Sequence, residues 1–404
     1  MREPLTASEL PRGFAFAGMH CGLKKSKLDL GILLSEVPAS AAAVFTTNQV
    51  VAAPVVLCRA HMKKSRHKIR GIIVNSGNAN CCSGPEGYAA SVATANRLAQ
   101  ELGHVDPTQI LVCSTGVIGA PLLVDKILLA VPELVRSRKS DAVSFEQFAR
   151  AIMTTDTVPK WAAAKFRVGG RQVRIAACAK GSGMIHPNMA TMFAFLATDA
   201  SVTPPVLSRA LREAVGPTFN SITVDGDTST NDTVALLANG QAGGPSVRSA
   251  SSDYKTFRSA LEDVCHSLAL AIVADGEGAQ RVIEVEVRGA SSNRAADQVA
   301  RTIANSPLVK TAFAGADPNW GRILAAAGRS GVKFDFERVD IWLAGIEVCR
   351  GGREHPFDEI ATHEKMLEKY LPLVVDLHAG EGHARLWTCD LTKEYIHINA
   401  SYRT

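Results

Sequence analysis

Apolar, strand-like runs alternate with segments of helical periodicity along most of this 404-residue chain. The stretch KIRGIIVNS, residues 68–76, has the β-branched run of a buried strand, and YAASVATANRLAQEL, residues 88–102, has the spacing of a helix. Residues 109–113 and 171–180 repeat the strand pattern. Because strands that alternate with helices form mixed α/β proteins, the chain is predicted to have an α/β fold.

The pattern changes towards the end of the chain. RVIEVEVRG, residues 281–289, alternates with a period of two, which predicts a strand with one solvated face. Residues 293–312 have helical periodicity, and residues 338–348 and 383–401 are predicted to be two groups of strands. These segments predict a smaller α+β subdomain that follows the main α/β part.

Loops rich in Ser, Thr, Asn, Asp and Gly follow several of the apolar segments. The strand at residues 109–113 runs into a Ser-Thr-Gly loop, and a helix with Ser144 as its N-cap ends in Thr154, Thr155 and Asp156. Polar loops at the ends of apolar elements are common places for functional sites. They are also explained as turns capped by their own side chains, and both interpretations stay open at this point.

Composition narrows the classes of function. The net charge of +5 is spread thinly and aromatic residues make up only 6% of the chain, so nucleic acid is not expected as a partner. The first residues lack the apolar core of a signal peptide, and no run approaches the roughly 20 apolar residues of a membrane span. The nine cysteines include no Cys-x-x-Cys, which is typical of a reducing cytoplasm. A cytoplasmic protein without a membrane partner is expected.

Familiar cofactor and metal motifs are absent from the sequence. His378 and His383 lack a further ligand at zinc-site spacing and are interpreted as parts of a surface turn. DGDTSTND resembles a calcium loop, but Thr230 stands at position six where Gly is required, and Leu236 stands at position twelve where Glu is required. No phosphate-binding glycine motif follows a strand. No metal or cofactor is therefore expected.

The segment KGSGMIHPNMATMFAF, residues 180–195, has chemistry of its own. A threonine hydroxyl is a weak nucleophile without an adjacent base, but an N-terminal threonine carries a base in its own α-amine. If a strained turn at Gly181 and Gly183 aimed the Thr191 hydroxyl at the Ala190 carbonyl, an N-to-O acyl shift and hydrolysis would release that amine. The spacing allows this route but does not require it.

Longer motifs give this segment a context. KGSGMIHPNMATMFAFLATDA resembles the processing segment of the ornithine acetyltransferase family, the glutamate N-acetyltransferases of arginine biosynthesis that cleave themselves between Ala and Thr. The resemblance spans nearly the whole chain, in the family's order. The further motifs are VNSGNAN from Val74, STGVIG from Ser114, AIMTTDTVPK from Ala151, ITVDGDTSTNDT from Ile222, DGEGA from Asp275, DPNWGRI from Asp317 and the terminal INASYRT.

The resemblance implies a layered N-terminal-nucleophile fold and a cut between Ala190 and Thr191. Residues 1–190 would be the α chain and residues 191–404 the β chain, with residues 191–284 completing the catalytic core and 285–404 forming the α+β subdomain. Two chains of each kind would assemble as α2β2. The family passes acetyl from N-acetylornithine to glutamate by a ping-pong mechanism without a cofactor, and some members also use acetyl-CoA.

The resemblance also implies roles for individual residues. Thr191 would be the nucleophile, and Thr115 with Gly116 would form the oxyanion hole. The substrate-binding positions would be Thr154 or Thr155, Lys180, Thr191, Glu277, Asn399 and Thr404.

This chain departs from the family pattern at Cys81, Phe193, Gln280, Arg281 and Ser401. Phe193 lies two residues beyond the expected nucleophile, so it is expected to affect the floor of the pocket. Two other hypotheses remain at this point. One is an aminopeptidase of the related self-cleaving fold, in which water is the acyl acceptor, and the other is a non-catalytic binding protein whose chain stays intact.

Overall fold

Two β-sheets organise the chain in the computed structural model, which describes residues 5–103, 105–186 and 192–401. Within these ranges the first sheet has eight strands in the order β4-β3-β2-β8-β7-β6-β5, and β1 pairs with β2. Its strands are β1 Phe14–Met19, β2 Leu30–Phe45, β3 Lys68–Asn78, β4 Ile110–Val117, β5 Lys160–Val168, β6 Arg171–Lys180, β7 Phe193–Thr198 and β8 Thr233–Ala238.

The second sheet begins at Val282 and has the order β12-β11-β10-β13-β9-β14. Its strands are β9 Val282–Ala290, β10 Asp340–Leu343, β11 Ile346–Arg350, β12 Arg353–Glu354, β13 Tyr370–Asp376 and β14 Gly382–Cys389. The helices are α1 Ala53–Lys64, α2 Gly84–Glu101, α3 Val124–Ser137, α4 Ala142–Ala151, α5 Pro204–Val215, α6 Ser252–Ala274, α7 Asn293–Ala304, α8 Pro307–Ala314, α9 Trp320–Gly328, α10 Glu359–Met366 and α11 Lys393–Ser401. Among the described residues, no helix is both long and apolar enough to cross a membrane.

Strand β7 shows how helices cover both faces of the first sheet. All six of its residues are buried, as a strand between two layers requires. Ala194 and Leu196 pack on one face with residues of α5 and α6. Phe193 and Phe195 pack on the other face with residues of α4, where the Phe195 ring lies 5.8 Å from that of Phe148. The sheet is thus the middle layer of an α/β structure, and the predicted fold class is confirmed.

Parallel pairing brings the polar ends of β3 and β4 together. The two strands do not stop at the polar residues, as the sequence predicted, but continue through Asn78 and Val117. The Ser114 hydroxyl donates to the Asn75 side chain at 2.6 Å, so polar side chains pair across the two strands. The polar stretches are ordered strand ends, which hold their side chains more rigidly than loops would.

Two local predictions were wrong. The N-cap of α4 is Asp141 rather than Ser144, because the Asp141 carboxylate accepts the Ser144 backbone N–H at 2.8 Å and the helix begins at Ala142. Residues 393–401 form helix α11 rather than a strand. The chain turns out of the second sheet after Cys389, where Asp390 accepts the backbone N–H groups of Gln280 and Arg281.

Strand β9 has the predicted solvated face. Val285 and Val287 are buried in the core of the second sheet, whereas Glu284 and Glu286 are only partly covered. Helix α11 then leaves this sheet and returns towards the first one, where Asn399 contacts Glu277.

Candidate functional site

A cleft lies where the ends of β4 and β6, the loop after α4, the loop before β8 and helix α11 meet. Within the described ranges it collects predicted site residues from five distant parts of the sequence: Thr115, Gly116, Thr154, Thr155, Lys180, Glu277 and Asn399. Ala190, Thr191 and Thr404 lie outside the described residues.

Thr115 and Gly116 are held at the end of β4 by its parallel pairing with β3, which places Gly116 opposite Gly77. Gly116 has a φ of +131°, and a Cβ on it would lie 2.4 Å from the Gly77 carbonyl carbon. Because no side chain fits there, the backbone can keep this conformation only with glycine. Thr115 is buried at the base of the cleft, with its hydroxyl 3.5 Å from Lys180 Nζ. Thr115 and Gly116 thus lie side by side in the lining of the cleft.

Lys180 is a buried cation at the end of β6. The antiparallel pairing of β6 with β7 places it opposite Phe193, at the start of β7. Burial lowers the pKa of Lys180, while the carboxylates of Asp156 and Glu277 act in the opposite direction. A cation that is mostly removed from water attracts a bound carboxylate more strongly than a surface lysine would.

A buried ion-pair network supports the wall of the cleft beside Lys180. The Lys160 ammonium lies 2.6 Å from the carboxylates of both Asp156 and Asp275. Asp156 also accepts the backbone N–H groups of Thr154 at 2.9 Å and Gly181 at 2.7 Å. Burial raises the pKa of Asp156, but the nearby lysine charges and the Gly181 N–H outweigh it and hold that pKa well below its usual range. One carboxylate therefore fixes two segments that line the cleft.

Carboxylates line the side of the cleft near α11. Asn399 donates to Glu277 at 2.7 Å, and Gly183 lies so close to Glu277 that a Cβ there would be 2.4 Å from a carboxylate oxygen. Asp225 accepts the N–H groups of Met184 and Ile185, and burial raises its pKa to about 6 against the effect of these donors. The cleft therefore presents a cation and carboxylates to the same ligand, as recognition of an amino acid requires.

Several residues of the site were not singled out from the sequence. Asn231 joins the ends of two segments by donating to the carbonyls of Ala79 at 2.6 Å and Ser114 at 2.7 Å. Asp232 accepts the backbone N–H of Met192 at 2.9 Å. Both residues, like Asp156, belong to motifs that carry the family resemblance, but their contacts join residues too distant in sequence for any local pattern to reveal.

The positions that depart from the family pattern do not line the cleft within the described ranges. Phe193 is buried in the core beside Phe195, with ring centroids 5.4 Å apart, and its effect on the pocket floor stays a prediction. Cys81 is buried, and its sulfur lies 3.8 Å from that of Cys82. Gln280 and Arg281 bind Asp390 through their backbone, and Ser401 is exposed at the end of α11.

His378 and His383, which the sequence placed in a surface turn, are exposed on either side of the turn that joins β13 to β14. His378 bonds Asp340 at 2.7 Å, and His383 lies 3.4 Å from Glu286. No cluster of three or more His, Cys, Asp or Glu residues in the described part of the chain is arranged to hold a metal ion.

Known proteins of one family resemble this chain in sequence and in structure. The sequence profile of the ArgJ family matches residues 15–404. The "Arginine biosynthesis bifunctional protein ArgJ" of Symbiobacterium thermophilum is 47% identical over 98% of this chain and 98% of its own length, and that of Lactococcus lactis is 45% identical over 100% of both chains. A crystal structure of the Bacillus halodurans protein of the same name is 42% identical, with a TM-score of 0.50, and covers 52% of this chain and 98% of the solved chain.

Proposed function

Since the chain belongs to the ArgJ family and is an acyltransferase, we propose that it transfers acetyl from N2-acetyl-L-ornithine to L-glutamate in arginine biosynthesis. The observation that carries this proposal is the single cleft in which Thr115, Gly116, Lys180 and Glu277 meet, although they lie far apart in sequence. Two oxyanion donors, a buried cation and a carboxylate are the groups that acyl transfer between amino acids needs.

The proposed nucleophile is Thr191, released by self-cleavage after Ala190. Its hydroxyl attacks the Ala190 carbonyl carbon, the carbon–nitrogen bond breaks, and the hydroxyl proton passes to the nitrogen; water then hydrolyses the ester to leave residues 1–190 and 191–404. The buried strand β7, which begins at Phe193, provides a rigid base for the new N-terminus. The solved Bacillus halodurans chain supports a cut, because it is matched almost completely yet spans only about half of this chain.

In the first half-reaction, the free amine of Thr191 takes the proton of its own hydroxyl, and the oxygen attacks the acetyl carbonyl of N-acetylornithine. The Thr115 hydroxyl and the Gly116 N–H stabilise the oxyanion that forms. The carbon–nitrogen bond breaks, the proton passes to the departing ornithine amine, and an acetyl ester remains on Thr191. In the second half-reaction the glutamate amine attacks this ester by the same route in reverse.

The two substrates share an α-carboxylate, and we assign it to Lys180. Glu277 binds an ammonium group, with its orientation fixed by Asn399. Thr154 or Thr155 contributes a hydroxyl from the loop that Asp156 holds. Thr404 is proposed as the last substrate-binding residue, and it lies outside the described residues.

The exchange of one amide for another requires no metal or cofactor. The relatives carry the name bifunctional protein, which favours a second activity, and we propose acetylation of glutamate by acetyl-CoA as that activity. Release of CoA in the presence of glutamate tests this activity separately. An α2β2 assembly in the cytoplasm completes the proposal, and the mass of the assembly in solution tests it.

The main reaction is tested by incubating the enzyme with N-acetylornithine, with and without glutamate. The expected result is release of ornithine and formation of N-acetylglutamate that both depend on glutamate. Equal release of ornithine in both samples would identify the protein as a hydrolase instead. Thr115→Val serves as a matched variant, since it keeps the shape of the side chain and removes only the proposed oxyanion donor.

A further inference from the structure

The buried carboxyl group of Asp232 lies beside the residue that follows the proposed nucleophile. Asp232 directly precedes β8 and Met192 directly precedes β7, and these strands pair in parallel with Phe193 opposite Thr233. The Asp232 side chain crosses between the strands, and Oδ1 accepts the Met192 N–H at 2.9 Å. The Met192 carbonyl accepts the Thr233 N–H at 3.2 Å. Met192 is therefore held from both sides of its backbone.

The second oxygen of this carboxyl group, Oδ2, makes no comparable contact among the described residues. Asp232 is 1% exposed, and Oδ2 is buried without a hydrogen-bond partner in the described part of the chain. A buried carboxyl oxygen without a partner is costly in the charged form, which favours the neutral acid.

We infer that Asp232 is the positioning residue for self-cleavage, and that it acts by fixing the Met192 amide and, through it, the peptide bond before Thr191. This inference rests on the proposed function, because it assumes that the chain is cut there. A displacement of about 1 Å at a reacting group can cost about 10²-fold in rate, so fixing the adjacent amide has a large effect on the acyl shift.

The surroundings of Asp232 favour the neutral carboxylic acid. Burial raises its pKa well above the usual range, while the Met192 N–H and the Lys180 charge lower it less. A neutral acid still accepts the Met192 N–H through its carbonyl oxygen. An asparagine amide offers the same acceptor in the same shape, whereas leucine has the shape without the acceptor.

These relationships define the variants Asp232→Asn and Asp232→Leu. Each chain is synthesised in a cell-free system, and the appearance of fragments ending at Ala190 and starting at Thr191 is followed over time by mass spectrometry. We expect Asp232→Asn to cleave within about threefold of the wild-type rate, because one neutral acceptor replaces another. Asp232→Leu should cleave about 10²-fold more slowly, because the Met192 N–H loses its partner.

Asp199 provides the matched control at the other end of β7. It directly follows Thr198, is fully buried, and accepts the backbone N–H groups of Arg174 at 2.7 Å and Arg12 at 3.2 Å. Asp199→Leu should lower the melting temperature and leave the rate of cleavage close to that of the wild type. Equal slowing by Asp199→Leu and Asp232→Leu would overturn the inference, since damage anywhere along the strand would then suffice.

Two further outcomes would also overturn it. One is a wild-type rate in Asp232→Leu, and the other is slowing of more than about tenfold in Asp232→Asn, which would require an ionisable group. The cleavage rate of Asp232→Asn tests the inference even if Asp232→Leu fails to fold. A wild-type chain that stays intact would refute the proposed function itself, whereas a wild type that cuts at the same rate as Asp232→Leu refutes only the role of Asp232.

Discussion

Removing the buried Lys160 ammonium should weaken both the fold and the substrate cleft. Lys160 has 2% of its side chain exposed and bridges Asp156 and Asp275, each at 2.6 Å. In Lys160→Met the two carboxylates would face each other in the interior without the ammonium group that bridges them. Asp156 also holds the N–H groups of Thr154 and Gly181, so its displacement would move two segments of the cleft.

The expected loss of stability follows from the burial of the pair. Removing one partner of a buried ion pair typically costs about 3–5 kcal/mol because the other charge is left uncompensated. For a chain of 404 residues this corresponds to a fall of about 4–6 °C in melting temperature.

The pH dependence of this loss has a definite sign. In the wild type the pKa of Asp156 lies below its usual range, so its stabilising contribution is present above the unfolded-state pKa of about 3.9 and is lost below it. In Lys160→Met the pKa of Asp156 should rise, and the buried group can become neutral as the pH falls. The difference in melting temperature between wild type and Lys160→Met should therefore be largest near pH 7 and become smaller towards about pH 4.

Thermal unfolding of wild type and Lys160→Met across this pH range tests the prediction. Lys165→Met is the matched control, because Lys165 lies on the same strand β5 but is exposed, and surface substitutions usually change stability by about 0.5 kcal/mol or less. Equal melting temperatures for the two variants would contradict the assigned role of Lys160. A deficit that grows as the pH falls would contradict the stated ionisation of Asp156.

Three other predictions address the cleft. Thr115→Val should lower kcat by about 10²–10³-fold, and unchanged steady-state kinetics would remove Thr115 from the oxyanion hole. Asn399→Leu should raise KM for N-acetylornithine by about 10- to 100-fold, because Glu277 loses a charge-assisted hydrogen bond; an unchanged KM would separate Asn399 from substrate binding. Burial raises the pKa of Asp225 to about 6, so wild-type stability should decline relative to Asp225→Asn as the pH rises from about 4 to 6; parallel melting curves over that range would refute the shift.

Much of the fold could be predicted from local patterns. The strand at residues 171–180 and the alternation of β9 were recognisable because burial imposes a period of two, or a continuous apolar run, on the residues themselves. Helix α11 was not recognisable, because Tyr395, Ile396 and Ile398 fit either a strand or a helix and its contacts with Glu277 lie far away in sequence. Tertiary contacts decide such ambiguous segments.

The candidate site also contains some residues that the sequence could predict and some contacts that it could not. Thr115, Gly116, Lys180 and Glu277 were placed by ordered motifs, and the fold brings them to one cleft. The contact of Asp232 with Met192 depends on the parallel pairing of β7 and β8, a register that no local pattern reveals. The same holds for the contact of the Asp156 carboxylate with the Gly181 N–H, which lies 25 residues away in the sequence.

The most direct test of the proposed nucleophile is the intact mass of the purified protein after incubation with N-acetylornithine alone. The expected spectrum contains two chains, residues 1–190 and residues 191–404, and only the second chain gains the mass of one acetyl group, which glutamate then removes. Thr191→Ala should give one unmodified chain. A wild-type spectrum with only the uncut 42.9 kDa chain, or an acetyl group on the first fragment, would contradict the assignment of Thr191 as the nucleophile.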